Sequence, residues 1–98
     1  AFAGTWKDVN GRWRYQRGAE KYASQEWLNL DGKRYYIGSD GFMVTGWFTD
    51  KDGNRYYLSP VSDGTQGRMV TGWQTIDGRS YYFQEESNGT RGALREVQ

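Results

Sequence analysis

The chain repeats one short pattern four times, and this repetition constrains its fold more than any local motif does. Each copy has a Trp-led segment, an Asn-Gly or Asp-Gly pair, a second aromatic segment and a Gly-containing return. The return at 41–47 reads GFMVTGW and reappears at 67–73 as GRMVTGW. Such periods, of about 20 to 26 residues, indicate an array in which each unit packs on its neighbours. The turn pairs are Asn10-Gly11, Asp31-Gly32, Asp52-Gly53 and Asp77-Gly78.

The residues around these turns favour β-strands. Asn-Gly and Asp-Gly accept the positive φ angles of a type I′ turn, which joins two antiparallel strands. No stretch carries an apolar stripe at helical spacing over an adequate length. We therefore predict an all-β fold, a solenoid of stacked β-hairpins. The predicted domain is a single module over 1–98, with repeats at about 4–26, 27–46, 47–72 and 73–94.

Aromatic residues take the place of the aliphatic residues that usually build a core. The chain has 5 Trp and 8 Tyr. Large rings bury much apolar area and pack edge to face, so a thin stack of hairpins can hold together without a deep core. The chain has no Cys, which excludes disulfides and thiolate metal sites. Its 13 basic residues are matched by 12 acidic residues, so the chain lacks the excess of positive charge that is typical of nucleic-acid binding.

Neither a membrane span nor a targeting segment is evident. No apolar run approaches the roughly 18 residues of a membrane span, so we expect no membrane insertion. The start at Ala1-Phe2-Ala3 lacks the basic and hydrophobic regions of a signal peptide, so a mature fragment is expected. The longer returns at 59–67 and 84–92 align with each other and are predicted to be loop insertions.

Alternation along the second strand of each repeat predicts two faces. Tyr35 and Ile37 share one face and are the better core candidates, whereas Tyr36 lies on the opposite face. In the first repeat the face equivalent to the core holds Arg14 and Gln16, which fits a terminal, capping repeat. The corresponding core pairs in later repeats are Tyr56 with Leu58 and Tyr81 with Phe83.

The motifs Gly-Trp, Asp-Gly-Lys/Arg-x-Tyr-Tyr and Gly-x-Met-Val-Thr-Gly-Trp resemble the cell-wall-binding repeats of Gram-positive surface proteins. This family includes the choline-binding modules and their relatives in streptococcal glucan-binding proteins and large clostridial toxins. The resemblance covers the chain from Gly4 to about Leu94. It implies stacked hairpins in a left-handed solenoid, shallow ligand sites between consecutive repeats, and a secreted protein associated with the cell wall.

In the choline-binding branch, the resemblance implies an aromatic cage that holds a quaternary ammonium by cation–π attraction. Its walls are the leading Trp of a repeat, a second Trp before the Tyr pair, and a Tyr of the following repeat. Carried over by position, Trp6, Trp13 and Tyr36 form the one complete set. In the next two repeats Arg34 and Arg55 occupy the position that Trp13 has in the first repeat. An Arg at this position repels an ammonium and removes a wall of the cage.

The positions that carry Arg suit a glycan better than choline. An aromatic pair stacks sugar rings, and a guanidinium donates hydrogen bonds to hydroxyl or phosphate groups. Met side chains can line the floors of such pockets. The residues assigned to these roles are Trp27 with Tyr57, Trp47 with Tyr82, and Met43 and Met69 as floors.

Of three other interpretations, one stays open and two are disfavoured. Aromatic columns in a short β-chain also act as cross-strand packing, so the leading Trp residues could simply join one hairpin to the next. Catalysis by paired carboxylates is improbable, because Asp31, Asp52 and Asp77 precede Gly in turns and so thin a fold hardly provides a cleft. The segment 50–54 superficially resembles a calcium loop, but Arg55 stands at the place of its Gly, which predicts a plain turn.

The sequence as a whole predicts a non-catalytic, extracellular module without cofactor or metal. Its expected partners are choline-substituted teichoic acid or a glucan-type polysaccharide of the cell wall. The alternative is a scaffold or host-glycan adhesin array, in which the repeats space or present other domains. Whether two chains form a homodimer stays open.

Overall fold

The computed structural model describes residues 4–98, which form ten β-strands and no helix. All strand pairs are antiparallel. The described residues accordingly include no helix with the length and apolarity needed to cross a membrane. The strands are β1 (Thr5–Val9), β2 (Arg12–Gly18), β3 (Lys21–Tyr22), β4 (Glu26–Leu30), β5 (Lys33–Ile37), β6 (Gly46–Thr49), β7 (Arg55–Leu58), β8 (Gly72–Ile76), β9 (Arg79–Phe83) and β10 (Leu94–Val97).

Each hairpin forms a small sheet of its own. The first sheet has the order β1-β2-β3, the second pairs β4 with β5, the third pairs β6 with β7, and the fourth has the order β8-β9-β10. The chain divides into two compact units, one ending at Val44 and the other spanning Thr45–Gln98. Each unit therefore holds two of the four hairpins. The grouping of all four repeats into a single module stays a prediction.

Three of the four hairpin turns have the predicted backbone. At the second turn Asp31 has φ 51° and Gly32 has φ 76°. Positive φ at both central residues is the signature of a type I′ turn, whose twist matches that of the flanking strands. The first and fourth turns repeat it, at Asn10 and Gly11 and at Asp77 and Gly78.

The third turn differs, and the type I′ prediction is wrong there. Only Gly53, with φ 85°, has a positive φ, while Asp52 does not. The Gly53 N–H donates to the Asp50 carbonyl over 3.1 Å, and the Asp50 N–H donates to the Asn54 carbonyl over 2.9 Å. This is the pattern of a longer hairpin loop that ends in a glycine bulge. The reason is one additional residue between Trp47 and the turn pair.

The Asp50 carboxylate holds this longer turn together. It accepts hydrogen bonds from the backbone N–H groups of Asp52 and Asn54, both over 2.9 Å, and from the Tyr56 hydroxyl over 3.3 Å. Burial raises the pKa of the Asp50 carboxyl, but the donated hydrogen bonds outweigh it and leave the pKa below its ordinary value. The predicted plain turn at 50–54 is therefore confirmed, with Asp50 as its organising residue.

We expect Gly32→Val to destabilise the protein by about 1–2 kcal/mol, because a β-branched residue resists the positive φ of this position. No atom lies within 4 Å of the place where its Cβ would stand, so the cost comes from the backbone alone. The matched control is Asp52→Val, at a turn position without positive φ. Urea unfolding of both variants measures the difference, and an equal loss in the two would contradict the type I′ assignment.

The return segments are tied to the strands by a recurring backbone bond. In three repeats the carbonyl of the second aromatic residue accepts an N–H from an apolar residue of the return. The Met residues of the returns add isolated bridges, Met43 with Ile37 and Met69 with Leu58. The three bonds run from Ala23 to Tyr15 (2.9 Å), from Val44 to Tyr36 (2.9 Å) and from Val70 to Tyr57 (3.1 Å).

The core faces are those predicted from strand alternation. In the first unit Ala23, Leu28, Tyr35 and Ile37 are buried together. In the second unit the largest fully buried side chains are Phe83 and Leu58. The prediction that the Tyr35/Ile37 face and its counterparts form the core is therefore confirmed, although Tyr81 is only half-buried. The other buried apolar residues of the second unit are Tyr56, Val70 and Ala93.

The two aligned loops 59–67 and 84–92 close in the same way. The N–H of the last residue donates to the carbonyl of the first, from Gly67 to Ser59 over 2.7 Å and from Gly92 to Gln84 over 2.8 Å. Inside each loop an Asx side chain caps its own turn. Asp63 accepts from the N–H of Thr65, and Asn88 accepts from that of Thr90.

Candidate ligand-binding site

The leading Trp of each repeat stands directly opposite the second aromatic residue of the same hairpin. For example, Trp27 is the register partner of Tyr36, and their ring centroids lie 5.1 Å apart at an interplanar angle of 67°. Directly opposite residues share one face of a hairpin, so each pair forms an aromatic patch in which the two rings are inclined to each other. The other pairs are Trp6 with Tyr15 (5.1 Å), Trp47 with Tyr57 (5.2 Å) and Trp73 with Tyr82 (5.3 Å).

Two leading Trp rings also contact the following repeat of the same unit. Trp6 packs edge-on against Tyr35, with centroids 5.4 Å apart, and Trp47 packs edge-on against Tyr81 at 4.9 Å. In both cases the partner is the first Tyr of the next repeat. The second Tyr was the one expected from the sequence pattern. Trp6 reaches the first Tyr because it packs against the core cluster that contains Tyr35.

These contacts place the predicted ligand residues as follows. In the first unit Tyr36 lies against Trp27, and in the second unit Tyr82 lies against Trp73 while Tyr57 lies against Trp47. Each of these Tyr rings therefore completes the patch of its own hairpin. The alternative that the leading Trp residues join consecutive hairpins is thus realised by Trp6 and Trp47.

Trp13 occupies a different position from the leading Trp residues. It is half-buried on β2, opposite Asp8, and its carbonyl accepts the Met43 N–H over 2.8 Å. Met43 in turn packs against the core cluster of the first unit. The structure therefore brings two predicted ligand residues, Trp13 and Met43, side by side at the junction of the first two hairpins.

Arg34 and Arg55, which occupy the position of the second Trp in their repeats, lie over the leading Trp rings. The guanidinium carbon of Arg34 is 4.4 Å from the Trp27 ring centroid, and that of Arg55 is 4.4 Å from the Trp47 centroid. This is cation–π geometry. Each guanidinium thus occupies space over a Trp ring that a ligand cation would need. The expected conflict with choline at these positions therefore has a steric part in addition to charge repulsion.

Met69 contributes to packing within the second unit. Its backbone forms a bridge with Leu58. Its Sδ atom lies 2.4 Å from the point where a Cβ on Gly92 would stand, so the side chain packs directly onto the backbone of the last loop. This contact joins the third return segment to the loop that precedes β10.

Trp73 is a potential contact residue that the sequence pattern did not select. Its exposure of 48 % is the highest of any Trp or Tyr among the exposed large side chains of the described residues. In the repeat pattern Ser80 occupies the position that Arg34 and Arg55 occupy in the two preceding repeats. This short residue is the sequence feature that could have indicated an exposed Trp73. The neighbouring Tyr82 hydroxyl donates to Glu85 over 2.9 Å, and this hydrogen bond raises the Tyr82 pKa.

Two family models match the chain. A choline-binding repeat matches residues 25–69, and a putative cell wall binding repeat matches residues 71–89. Among characterised proteins, Toxin A of Clostridium novyi is 36% identical over 91 residues, which cover 89% of this chain and 4% of the toxin.

Solved structures show the same fold. Choline binding protein F from Streptococcus pneumoniae, determined in the presence of a peptidoglycan analogue, matches with a TM-score of 0.74 and 38% identity over 95% of this chain and 28% of its own. A multimodular pneumococcal cell wall endolysin from phage Cp-1, complexed with choline, matches with a TM-score of 0.74 and 30% identity over 95% of this chain and 25% of its own. The chain thus spans about a quarter of the length of these structures. Their similarity confirms the predicted all-β class of hairpin repeats.

Proposed function

Because the chain belongs to the family of choline-binding and cell-wall-binding repeats, we propose that it is a non-catalytic module that attaches a secreted protein to a cell-wall polymer. The two matching family models, a choline-binding repeat and a putative cell wall binding repeat, support this attachment. The proposed ligand is the choline of a substituted teichoic acid, and the proposed location is the outside of a Gram-positive cell.

The observation that carries the choline assignment is the pair of Trp residues in the first repeat. Trp13 occupies the position of the second Trp there, whereas an Arg covers the leading Trp in the next two repeats. Trp13 is half-buried, and its carbonyl accepts the Met43 N–H, which supports a place for both residues at the same site. From the sequence pattern we assign the ammonium to Trp6, Trp13 and Tyr36 in the first unit, since rings on several sides strengthen cation–π attraction. In the unliganded arrangement Trp6 contacts Tyr35, and Tyr36 contacts Trp27.

We expect Trp13→Ala to weaken choline binding by roughly tenfold, because the loss of one aromatic wall costs about 0.5–2 kcal/mol of cation–π attraction. Tryptophan fluorescence, titrated with choline, measures the affinity. Trp73→Ala is the matched control, since it removes an exposed Trp from the other unit. Equal affinity of Trp13→Ala and the unmodified chain would exclude this cage.

The same titration includes Arg34→Trp as a gain-of-function variant. The substitution takes the guanidinium off the Trp27 ring and restores a second Trp to the second repeat. A second saturable fluorescence response to choline is expected. If the variant responds like the unmodified chain, Arg34 is not what closes Trp27 to an ammonium.

A glucan-type polysaccharide is the second candidate ligand, and the Arg–Trp stacks favour it. A guanidinium held flat on a ring keeps its N–H groups at the edge, where they can donate to sugar hydroxyls. Retention of the protein on choline-substituted resin, compared with retention on glucan resin, separates the two ligands. Retention by neither resin would support the scaffold alternative.

A further inference from the structure

The first hairpin carries two arginines on one face of β2. Arg12 and Arg14 alternate with Trp13, so they point to the side opposite the proposed choline cage. In the hairpin register Arg14 holds the place that Tyr35 and Tyr56 hold in the next two repeats, where the Tyr residues are buried in the core. A cation therefore stands at a position that the other repeats use for apolar packing.

Arg14 lies close to two aromatic side chains. Its guanidinium carbon lies 3.8 Å from the Tyr22 ring centroid and 5.7 Å from that of Phe42. The Nε–H group is buried and donates to no partner among the described residues. Stacking covers the flat faces of a guanidinium and leaves its in-plane N–H donors unused. Arg14 is thus a fixed cation without a carboxylate within ion-pair distance in the described part of the chain.

Arg12 approaches the same aromatic ring. Its guanidinium carbon lies 4.0 Å from the Phe42 centroid. It also pairs with Asp40, N to O 2.7 Å, and both side chains are more than half exposed, at 59% and 57%. The hydrogen bond from Arg12 holds the pKa of the Asp40 carboxyl below its ordinary value, so Asp40 is a carboxylate at neutral pH. An exposed pair of this kind is weak and exchanges readily with other anions.

From this arrangement we infer that Arg12 and Arg14, held on Phe42 and Tyr22, form a binding site for phosphate groups. A guanidinium fork matches two oxygens of a phosphate, and two forks that converge on one ring can grip one group together. Asp40 is the internal competitor, which occupies Arg12 when no anion is bound. The ligand class is a phosphate monoester or diester; its assignment to the phosphodiesters of a wall polymer rests on the proposed function.

The alternative role for Arg14 is structural, since its guanidinium packs on the Tyr22 and Phe42 rings. A capping role requires the side chain to shield apolar residues but predicts no response to phosphate. It also predicts that loss of Asp40 leaves anion affinity unchanged. The two roles are therefore separable by the direction in which substitutions at Arg14 and Asp40 shift phosphate affinity.

The test is a titration of the intact chain with inorganic phosphate, monitored by nuclear magnetic resonance of the arginine Nε–Hε groups at constant ionic strength. Saturable shifts at Arg12 and Arg14 are expected. Arg14→Lys, which keeps the charge and loses the fork, should bind about fivefold more weakly, and Asp40→Asn should bind about threefold more tightly. Arg17→Lys is the matched control, because Arg17 lies on the same strand and pairs with Glu26.

Three results would overturn the site. These are shifts that rise linearly without saturation, an equal response at Arg17, and an Asp40→Asn affinity at or below that of the unmodified chain. Asp40 is exposed and outside the core, so its variant tests the site even if Arg14→Lys loses stability.

A parallel titration with poly(glycerol phosphate) identifies the source of the phosphate. Tighter binding per phosphate to the polymer than to inorganic phosphate supports a wall phosphodiester, while equal binding supports a free phosphate. Choline titration of the same samples keeps the proposals apart. Phosphate binding without choline binding contradicts the choline assignment alone, and choline binding without phosphate binding contradicts this site alone.

Discussion

Phe83→Ala is expected to lower the free energy of unfolding by about 3–5 kcal/mol, because it removes a fully buried aromatic side chain and leaves a cavity. In the sheet Phe83 is the register partner of Gly72 on one side and of Leu94 on the other. The centroid of its ring lies 5.8 Å from that of Trp47. A loss of this size is a large fraction of the stability of a small protein. Urea unfolding followed by near-ultraviolet circular dichroism measures it.

Val61→Ala is the control for this prediction, since Val61 is 58% exposed in a loop of the same unit. It should change stability by less than about 0.5 kcal/mol, as surface substitutions usually do. If Phe83→Ala cost no more than Val61→Ala, the fourth hairpin would not depend on the core described for it.

Gly92→Ala is expected to cost about 2–4 kcal/mol, since it combines an unfavourable backbone with overpacking. Gly92 has φ 90°, which a residue with a Cβ rarely adopts, and its new Cβ would lie 2.4 Å from the Met69 Sδ. Gly89→Ala is the matched control. Gly89 has φ 99° in the same loop, but nothing lies within 4 Å of its Cβ position, so it carries the backbone cost alone.

Gly92→Ala should destabilise the protein more than Gly89→Ala does, and the difference measures the cost of overpacking against Met69. In a Met69→Ala background the overpacking disappears, and Gly92→Ala should then cost about as much as Gly89→Ala. The difference between the two backgrounds is a coupling energy, which residues in direct contact are expected to show. An unchanged cost in the Met69→Ala background would mean that Met69 does not pack on this loop.

Much of the fold was predictable because turns and strands have local causes. An Asp-Gly pair favours positive φ by its own chemistry, and alternation along a strand decides which side chains reach the core. The exception at Asp52 also had a visible cause. One extra residue separates Trp47 from its turn pair, which changes the loop class while leaving Trp47 opposite Tyr57.

The side-chain partners were harder to predict, because they depend on tertiary packing. Strand periodicity places Tyr35 and Tyr36 on opposite faces, but it does not say which of them Trp6 will meet. The core cluster decides this in favour of Tyr35. Alternation places Arg34 on the same face as Tyr36 and Trp27, but it does not predict that the guanidinium stacks on the Trp27 ring. Ligand contacts by Trp6, Trp13 and Tyr36 stay a prediction.

The loops at 59–67 and 84–92, which are each closed by a backbone hydrogen bond, are suitable sites for inserted peptides. In each loop one backbone hydrogen bond joins the first residue to the last, over 2.7 Å and 2.8 Å, so the two ends of the loop are held together next to the strands. Doubling the length of such a loop costs only about 0.6 kcal/mol of closure entropy. We therefore expect these two loops to accept grafted epitopes, tags or recognition sequences. The same tolerance allows the repeats to diverge in sequence at these loops while their hairpins stay unchanged.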